Sequence, residues 1–308
     1  MKRKFILALS LCMMGTTMFA QPKGATEPQL LVKAPVGLMA PVWSPTGDKI
    51  AVTADNYSGI FVVNADGSNM TTVSTEAGAG YKMVWSADGK QILGRTNVVE
   101  NTKVLHEVKV WNVANGKSTT LVAKTRDLKG TPTWNSASTV TIANNLGIRS
   151  INTATATSNK QASVNVYEMM ASDPVGCAAK ISALKQYAGK VIINPALSPD
   201  GSKVAFQVPG HGLFVCDNNG KNLVSLGKAS NPTWLPDNLH VIATRVQDNG
   251  HSYTASQIYS FNVVTGAETL VCNNANYIPM RPSVSPDGQK LVFENAADAS
   301  IYIVNLKY

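Results

Sequence analysis

The chain has 308 residues, of which 44% are hydrophobic and 15% are charged, with 23 glycines and 15 prolines. A chain of this length and apolar content can bury a large core, which excludes a disordered protein and allows one large domain or two small ones. The low charge argues against a mainly helical protein, because exposed helix faces are rich in Glu, Lys and Arg. Abundant Gly, Pro, Thr and Val are typical of strands joined by tight turns, so the composition predicts an all-β protein.

The N-terminus predicts an export signal. A basic start at residues 2–4 precedes an apolar run at 5–11 and small residues up to Ala20, which is the pattern of a cleavable secretory signal peptide. Removal of residues 1–20 would take away three basic residues and no acidic one, and would lower the formal net charge from +8 to +5. We therefore expect a periplasmic protein. The alternatives are an extracellular protein or one anchored through a lipid on Cys12, which the large Leu11 disfavours.

One sequence segment recurs along the whole chain, with tryptophan at the same place in four of its six copies. The spacings between successive copies run from 37 to 63 residues. Units of about 40–50 residues that carry four strands each are typical of β-propeller blades, so the repeats predict a six-bladed propeller. The copies begin at Pro41, Met83, Pro132, Pro195, Pro232 and Pro282.

The repeat also predicts the strands inside each blade. Its Ser-Pro-Asp-Gly segment is a turn, because Pro presets φ, Asp bonds to nearby backbone and Gly accepts the tight geometry. This turn joins an innermost strand to a second strand such as Lys290–Phe293, and a third apolar strand such as Ile301–Val304 follows. A hairpin that carries glycine then leads to a short outer strand.

The two chain ends predict how the ring closes. Residues 305–308 are too few for an outer strand in the last blade, whereas residues 29–33 precede the first repeat and resemble the outer strands of other blades. We predict that 29–33 completes the last blade and so removes the exposed edges of an open array. The predicted organisation is a signal peptide at 1–20, a short segment at 21–28 and a single propeller at 29–308.

The repeat Pro-x-Trp-Ser-Pro-Asp-Gly-x-Lys-hydrophobic-Ala-Phe resembles that of the TolB-type, WD-like β-propeller family, and the resemblance covers residues 29–308. It implies a six-bladed periplasmic propeller that binds partner proteins of the cell envelope. TolB itself has an additional N-terminal α/β domain, which we expect this chain to lack because only about eight residues separate the predicted cleavage site from the first strand. The third repeat departs from the pattern, with Asn135–Ser138 in place of the turn motif.

Extra residues separate the third and fourth repeats, within about 166–191. The stretches 167–170 and 178–187 have partly helical character. One interpretation is a surface excursion. The other is a lid or docking loop over one face of the ring, because long loops on rigid scaffolds often carry function.

The sequence contains no motif of a known catalytic class. Gly-x-Ser-x-Gly, a phosphate-binding glycine loop, His-Glu-x-x-His and Cys-x-x-Cys are all missing from the chain. Beyond the predicted signal, Cys177, Cys216 and Cys272 allow one disulfide or none, and the apolar strand around Cys216 favours a buried thiol. We therefore expect a non-catalytic protein without a cofactor or metal.

The histidines leave one alternative open. His106, His211 and His251 precede the third strands of three blades, in loops predicted to share one face. We interpret them as unrelated loop residues. The alternative is that they converge on a metal, as in propeller lyases that cleave acidic sugars. His240 follows the turn of blade five and is expected to be a solvated turn residue.

Candidate binding residues come from the loops between second and third strands and between blades, which should line the mouth of the central channel. Tyr and Arg are enriched at binding hot spots, and ordinary polar surface is the alternative for each residue. The candidates are Tyr57, Tyr81, Arg95, Arg126, His211, Arg245, Tyr253, Tyr277 and Arg281. The periodic Trp43, Trp85, Trp134 and Trp234 are instead expected to pack blade against blade.

These features predict an exported, non-catalytic, TolB-like scaffold that binds protein or peptide partners in the cell envelope. We expect a monomer that is at most peripheral to the membrane. The alternative function is a carbohydrate-binding protein or a metal-assisted polysaccharide lyase-like enzyme that uses the channel mouth. Nucleic acid is not an expected partner despite a pI of about 9.2, because the basic residues are dispersed and the protein is predicted to be exported.

Overall fold

The computed structural model describes residues 20–161 and 163–308, so the predicted signal peptide, apart from Ala20, lies outside the described residues. Within these ranges the strands form six antiparallel sheets, in which each of the first five blades is built from four consecutive strands. The innermost strands of the sheets surround a central channel. The predicted all-β, six-bladed propeller is confirmed.

The strands are numbered along the chain, and two of them precede the first blade. These are β1 (Gly24–Ala25) and β2 (Gln29–Val32). Blade one contains β3 (Met39–Trp43), β4 (Lys49–Thr53), β5 (Ile60–Asn64) and β6 (Thr71–Ser74), with a 3₁₀ turn at Asp55–Tyr57. Blade two contains β7 (Val84–Trp85), β8 (Gln91–Glu100), β9 (Lys103–Asn112) and β10 (Ser118–Thr125). Blade three contains β11 (Thr133–Ser136), β12 (Thr139–Asn144), β13 (Gly147–Asn152) and β14 (Ser158–Lys160).

The remaining blades follow the same order. Blade four contains β15 (Ile193–Leu197), β16 (Lys203–Val208), β17 (Gly212–Asp217) and β18 (Val224–Ser225). Blade five contains β19 (Ser230–Trp234), β20 (His240–Asp248), β21 (Tyr253–Asn262) and β22 (Glu268–Cys272). Blade six contains β23 (Pro279–Val284), β24 (Lys290–Asn295) and β25 (Ser300–Lys307).

The N-terminal strands complete blade six, which confirms the predicted ring closure. Strand β2 pairs with β25 in the register Gln29 to Ile303 and Leu30 to Tyr302. The structure adds a second contact, because β25 continues to Lys307 and pairs there with β1. The last blade therefore contains strands from both ends of the chain, and its outer edge is covered by residues that precede blade one.

The Ser-Pro-Asp-Gly segment forms the predicted turn between first and second strands. In blade four, Ser198 Oγ donates to Asp200 Oδ1 at 2.6 Å, and the same carboxylate oxygen accepts the backbone N–H of Ser202 at 2.9 Å. The backbone N–H of Lys203 donates to Ser198 Oγ at 2.9 Å. Gly201 has a φ of +72°, a left-handed conformation in which a side chain is strained.

Tryptophan side chains join neighbouring blades, as their periodicity predicts. In three cases the indole Nε1 donates to a backbone carbonyl in the first strand of the preceding blade. Each such bond links two neighbouring blades, and the partly or fully buried indole adds apolar contact between them. The pairs are Trp85 with Val42 at 3.1 Å, Trp134 with Val84 at 3.2 Å and Trp234 with Ala196 at 2.9 Å.

Blade four has Leu197 at the tryptophan position, and a helical insertion makes the contact with blade three instead. The insertion contains α1 (Val166–Ser172), α2 (Cys177–Lys180) and a 3₁₀ helix at Ser182–Tyr187. Helix α1 contacts β11 and β12 on one side and β15 on the other. Among residues 20–161 and 163–308, no helix has the length and apolar character needed to cross a membrane.

The insertion is an interblade wedge with its own core. Met170 and Leu184 are fully buried, and they pack in one cluster with Phe206 of blade four. Asn165 and Glu168 form a capping box, in which the Asn165 side chain accepts the Glu168 N–H at 2.9 Å and Glu168 Oε2 accepts the Asn165 N–H at 3.1 Å. The segment is therefore held against both blades rather than lying loosely over the ring.

His240 is buried, which corrects the expectation of a solvated turn residue. Its Nδ1 lies 2.6 Å from Asp237 Oδ2, and its Nε2 lies 3.2 Å from Asn262 Nδ2. Burial opposes ionisation of Asp237, but the bonds from His240 and from two backbone N–H groups outweigh it and lower the pKa of that carboxyl. The imidazole is inside because it has these two polar partners on the turn and on β21.

In the part of the chain that the structure describes, Cys177, Cys216 and Cys272 are free and buried. Burial raises the pKa of the Cys177 and Cys272 thiols to about 11 and that of Cys216 to about 12. Because the thiolate is the reactive form, these side chains act as small apolar core residues.

The turn geometry gives a stability prediction. Gly201→Val places a β-branched side chain at φ +72° and should lower the free energy of unfolding by about 1–3 kcal/mol, measured by urea denaturation. Gly201→Asn is the matched control. Because asparagine tolerates the left-handed region, this variant should show a distinctly smaller decrease in the free energy of unfolding. Equal stability of the valine variant and the wild type would contradict the turn assignment.

Candidate binding site at the channel mouth

The strand directions give the propeller two different ends. Because consecutive strands are antiparallel, the Ser-Pro-Asp-Gly turns and the third-to-fourth turns lie at one end of every blade. The second-to-third loops and the connections between blades lie at the other end. We call this second end the channel mouth; it includes residues 54–59, 77–82, 129–131, 209–211, 228–231 and 248–253.

Within the described residues, three cavities meet at the centre of the channel mouth. Asn194, Asn231 and Arg281 line all three of them. The first cavity, about 270 Å³, lies between the innermost strands. The second, about 790 Å³, opens over blades four to six, and the third, about 740 Å³, opens over blades one to three and the insertion. The three cavities thus border one another at these residues, and together we call them the recess.

A repeated backbone feature places side chains in this recess. Five residues that immediately precede a repeat have φ between 45° and 54° and line the first cavity. In blades one, four, five and six, the pairing of the first and second strands is shifted by a bulge at this point. A left-handed residue other than glycine costs about 1–2 kcal/mol, so its recurrence around a channel points to a functional constraint. The residues are Ala40, Lys82, Asn194, Asn231 and Arg281.

Sequence reasoning identified Arg281 but missed Lys82, Asn194 and Asn231. The signal was available in the repeats, because all four residues stand directly before the residue that begins a copy. Asparagine at two of these positions is a further hint, since it adopts positive φ more readily than most residues. The structure shows that the equivalent position contributes to the channel in five of the six blades.

Arg281 is anchored by a buried carboxylate. Its Nη1 bonds to Glu294 Oε1 and its Nη2 lies 3.2 Å from the Tyr57 hydroxyl. The other oxygen of Glu294 accepts the backbone N–H of Ala40 at 2.5 Å. Burial disfavours the charge of Arg281, but the Glu294 carboxylate and the Tyr57 hydroxyl outweigh it and raise the pKa of the guanidinium. The blade-six side of the mouth therefore has a fixed positive charge.

Lys82, which directly precedes the first strand of blade two, extends into an amide network. Its Nζ donates to Asn194 Oδ1, and Asn194 Nδ2 donates to Gln207 Oε1 at 2.5 Å and to Asn231 Oδ1 at 3.1 Å. Enclosure by the surrounding blades and the positive charge of Arg281 lower the pKa of Lys82 from 10.5 to about 8. Its ammonium group is thus held by an amide oxygen rather than by a carboxylate.

Arg95 and two tyrosines complete the centre of the site. Arg95 Nη1 donates to the carbonyl of Gly130 at 3.0 Å, whereas its Nε is buried and has no hydrogen-bond partner among the described residues. The guanidinium lies 5.5 Å from the centroid of the Tyr81 ring, and Tyr81 meets Tyr57 edge-on at 4.9 Å. Burial lowers the pKa of Arg95. The structure therefore brings together four of the candidates, Tyr57, Tyr81, Arg95 and Arg281.

Three further candidates line the second cavity, namely His211, Arg245 and Tyr253. Arg245 is engaged by two bonds to Glu268, and its guanidinium lies 4.4 Å from the centroid of the Tyr259 ring. Tyr253 is 49% exposed and available for contact.

The last two candidates lie away from the recess. Arg126 is exposed and lines none of the three cavities. Tyr277 also lines none of them, and its ring packs edge-on against Tyr302 with 4.9 Å between centroids. The position of each residue in a loop predicted that it would line the channel mouth, but neither side chain borders a cavity there.

The structure does not bring His106, His211 and His251 together, and it places His106 within strand β9 instead of in the predicted loop. His106 Nδ1 lies 2.9 Å from Asn97 Oδ1, the His211 ring contacts Tyr187, and His251 lines a cavity beside the β20–β21 hairpin. Within residues 20–161 and 163–308, no group of three or more His, Cys, Asp and Glu is placed to hold a metal ion.

The lowered pKa of Lys82 can be tested by its reactivity. The rate of acetylation by acetic anhydride should rise with pH and level off above a midpoint of about 8, because the neutral amine is the nucleophile. An ordinary lysine, with a pKa of about 10.4, keeps gaining reactivity through pH 10. Peptide mass spectrometry would follow both Lys82 and the exposed Lys117 in one experiment.

Arg281→Gln provides the control, because removal of the neighbouring positive charge should move the midpoint of Lys82 upward. A midpoint for Lys82 near pH 10 in the wild type would contradict the described environment.

Comparison with known proteins gives a likeness of fold. No protein-family model and no curated protein sequence matches the chain. A putative TolB from Agrobacterium tumefaciens has a TM-score of 0.54 at 15% identity, over 91% of this chain and 94% of that one. An oligogalacturonate lyase from Vibrio parahaemolyticus has a TM-score of 0.52 at 13% identity, over 89% and 79%. An oligogalacturonate lyase in complex with manganese has a TM-score of 0.50 at 15% identity, over 90% and 79%. The predicted resemblance is therefore confirmed at the level of the fold, a TolB-type six-bladed β-propeller.

Proposed function

We propose that this protein is a non-catalytic binding protein that receives a protein or peptide partner at the channel mouth, in the cell envelope. The observation that carries the proposal is the meeting of three cavities at Asn194, Asn231 and Arg281. The envelope location rests on the export signal predicted from residues 1–20.

The size of the recess supports a partner larger than a single small molecule. Pockets for small molecules usually measure about 300–1,000 Å³. The second and third cavities, about 790 and 740 Å³, each fall in that range and border each other at Asn194, Asn231 and Arg281. A segment of peptide that crosses from one cavity to the other would fill both.

The lining also supports a peptide. The third cavity contains apolar side chains such as Met83 and Ile192 next to Tyr81 and Arg95. Aromatic residues, methionine and arginine are the side chains enriched where proteins meet, with an apolar centre and polar anchors. The insertion adds Tyr167 to this wall, so it contributes to the site as well as to the contact between blades.

The central polar groups support binding rather than catalysis. Arg281 is fixed by Glu294, and Lys82 is fixed by the amide network around Asn194. Side chains held in this way present a pre-organised surface, which reduces the entropy lost when a ligand binds.

Site-specific photo-crosslinking tests the proposal. A p-benzoylphenylalanine at position 253 replaces an exposed aromatic residue at the mouth, and the same residue at position 264 replaces Val264, which is 70% exposed on the third-to-fourth turn at the opposite end. Irradiation with envelope extract of the source cells should give a protein adduct from position 253 and none from position 264.

In a parallel experiment, the purified protein should be tested for binding to an oligosaccharide array. A protein adduct confined to position 264, or binding of oligosaccharides with no protein adduct at either position, would overturn the proposal. The adduct from position 253 should also diminish when Arg281→Gln is combined with the crosslinker, because Arg281 borders all three cavities.

A further inference from the structure

We propose that the ligand group bound at the centre of the channel mouth is a carboxylate, carried by an acidic segment of the peptide partner and held by Lys82, Arg95 and Arg281. This inference rests on the proposed function, because it names the chemistry of the partner at the same site.

The charges at the centre of the mouth are not balanced. Lys82, Arg95 and Arg281 are all cationic side chains that line the third cavity. Glu294 is bonded to Arg281, whereas the bonds from Lys82 and Arg95 go to an amide and to a backbone carbonyl. An anionic ligand would neutralise the excess positive charge, because neither Lys82 nor Arg95 has a carboxylate partner among the described residues.

Hydrogen-bond donors remain available on two of these cations. An ammonium group has three N–H donors, and among the described residues Lys82 Nζ donates one hydrogen bond, to Asn194 Oδ1. Arg95 lines the third cavity and has one side-chain hydrogen bond among the described residues, from Nη1 to Gly130, out of the five N–H donors of a guanidinium. A carboxylate can accept from an ammonium and from a guanidinium, and hydrogen bonds between charged partners are the stronger class. The recess therefore has the donors that a carboxylate requires.

The backbone supports the same conclusion. Lys82 and Arg281 have φ of 53° and 45°, a left-handed conformation that long side chains adopt less readily than asparagine. Both stand directly before a repeat and line the first cavity, so the same left-handed conformation occurs at the equivalent position of two blades. Two strained positions that each bring a positive charge to one recess favour recognition of an anion.

The aromatic rings favour an acidic peptide over an acidic sugar. Sugars commonly stack on open aromatic faces. The Tyr81 face lies under Arg95 at 5.5 Å, the Tyr57 face lies under Arg281 at 5.9 Å, and the two rings meet edge-on. The rings at the centre are therefore already engaged, and what remains for a ligand is positive charge next to apolar side chains such as Met83.

This inference can be tested by phage display, with selection from a library of short random peptides. Peptides that bind the immobilised full-length protein should be enriched in Asp or Glu at one position. Replacement of that residue by Asn or Gln in a synthetic peptide should raise Kd about tenfold or more, the effect of losing a charged hydrogen bond. Fluorescence anisotropy would supply the Kd values.

Variants of the protein test which side chain binds the acidic residue of the peptide. Lys82→Gln should raise the Kd of the acidic peptide about tenfold, with little effect on the Asn or Gln peptide. Lys82→Arg keeps the charge and should retain most of the affinity, which separates loss of charge from damage to the fold. Lys117→Gln removes one positive charge from an exposed turn at the opposite end and should leave Kd unchanged, which excludes an effect of net charge.

The outcomes separate this inference from the proposed function. Peptides that bind at the mouth without acidic enrichment, or equal Kd values for the Glu and Gln forms, would overturn the carboxylate inference and leave the peptide-binding function intact. No peptide binding, together with Lys82-dependent binding of oligogalacturonate used as a probe, would overturn the peptide-binding function and identify an acidic glycan instead.

Discussion

The contact between neighbouring blades is the constraint on which this structure depends. Each blade is a twisted sheet with apolar residues on both faces, so no blade can bury its own core and each must pack between two others. The chain makes this contact in different ways around the ring. Indole side chains bridge to the preceding blade at Trp85, Trp134 and Trp234, helix α1 replaces the indole beside Leu197, and strands from the N-terminus complete blade six.

The same ring determines where the candidate site can be. Packing six sheets around an axis brings the residue that precedes the repeat to the channel in five of the blades, and in each of these five its backbone is left-handed. Variation at this position, from Ala40 to Asn194 to Arg281, changes the chemistry of the recess without changing the blades. Lys82 and Arg281 contribute their charge in this way, and Arg95 adds a third cation from a second strand.

The features that the sequence predicted are those encoded locally and then repeated. Ser198–Gly201 specifies a turn by its own residues, and the periodic Trp85 and Trp134 reveal the packing between blades. The features it missed depend on a distant partner. Burial of His240 requires Asp237 and Asn262, and the position of Lys82 at the channel depends on a left-handed backbone that its residue type does not announce. For Arg126 and Tyr277 the prediction depended on their position in a loop, and that position does not determine the direction of a side chain.

Closure of the ring by both chain ends also makes the complete fold depend on contacts between distant segments. Strands β1 and β2 precede blade one, but their partner β25 follows all the other strands of the described residues. Without β25, these two strands have no sheet to join, and blade one lacks its neighbour on one side. Contacts between such distant segments form slowly because a long loop must be closed first. A chain in which they have not formed is an open arc with two unpaired edges, the kind of surface that favours aggregation.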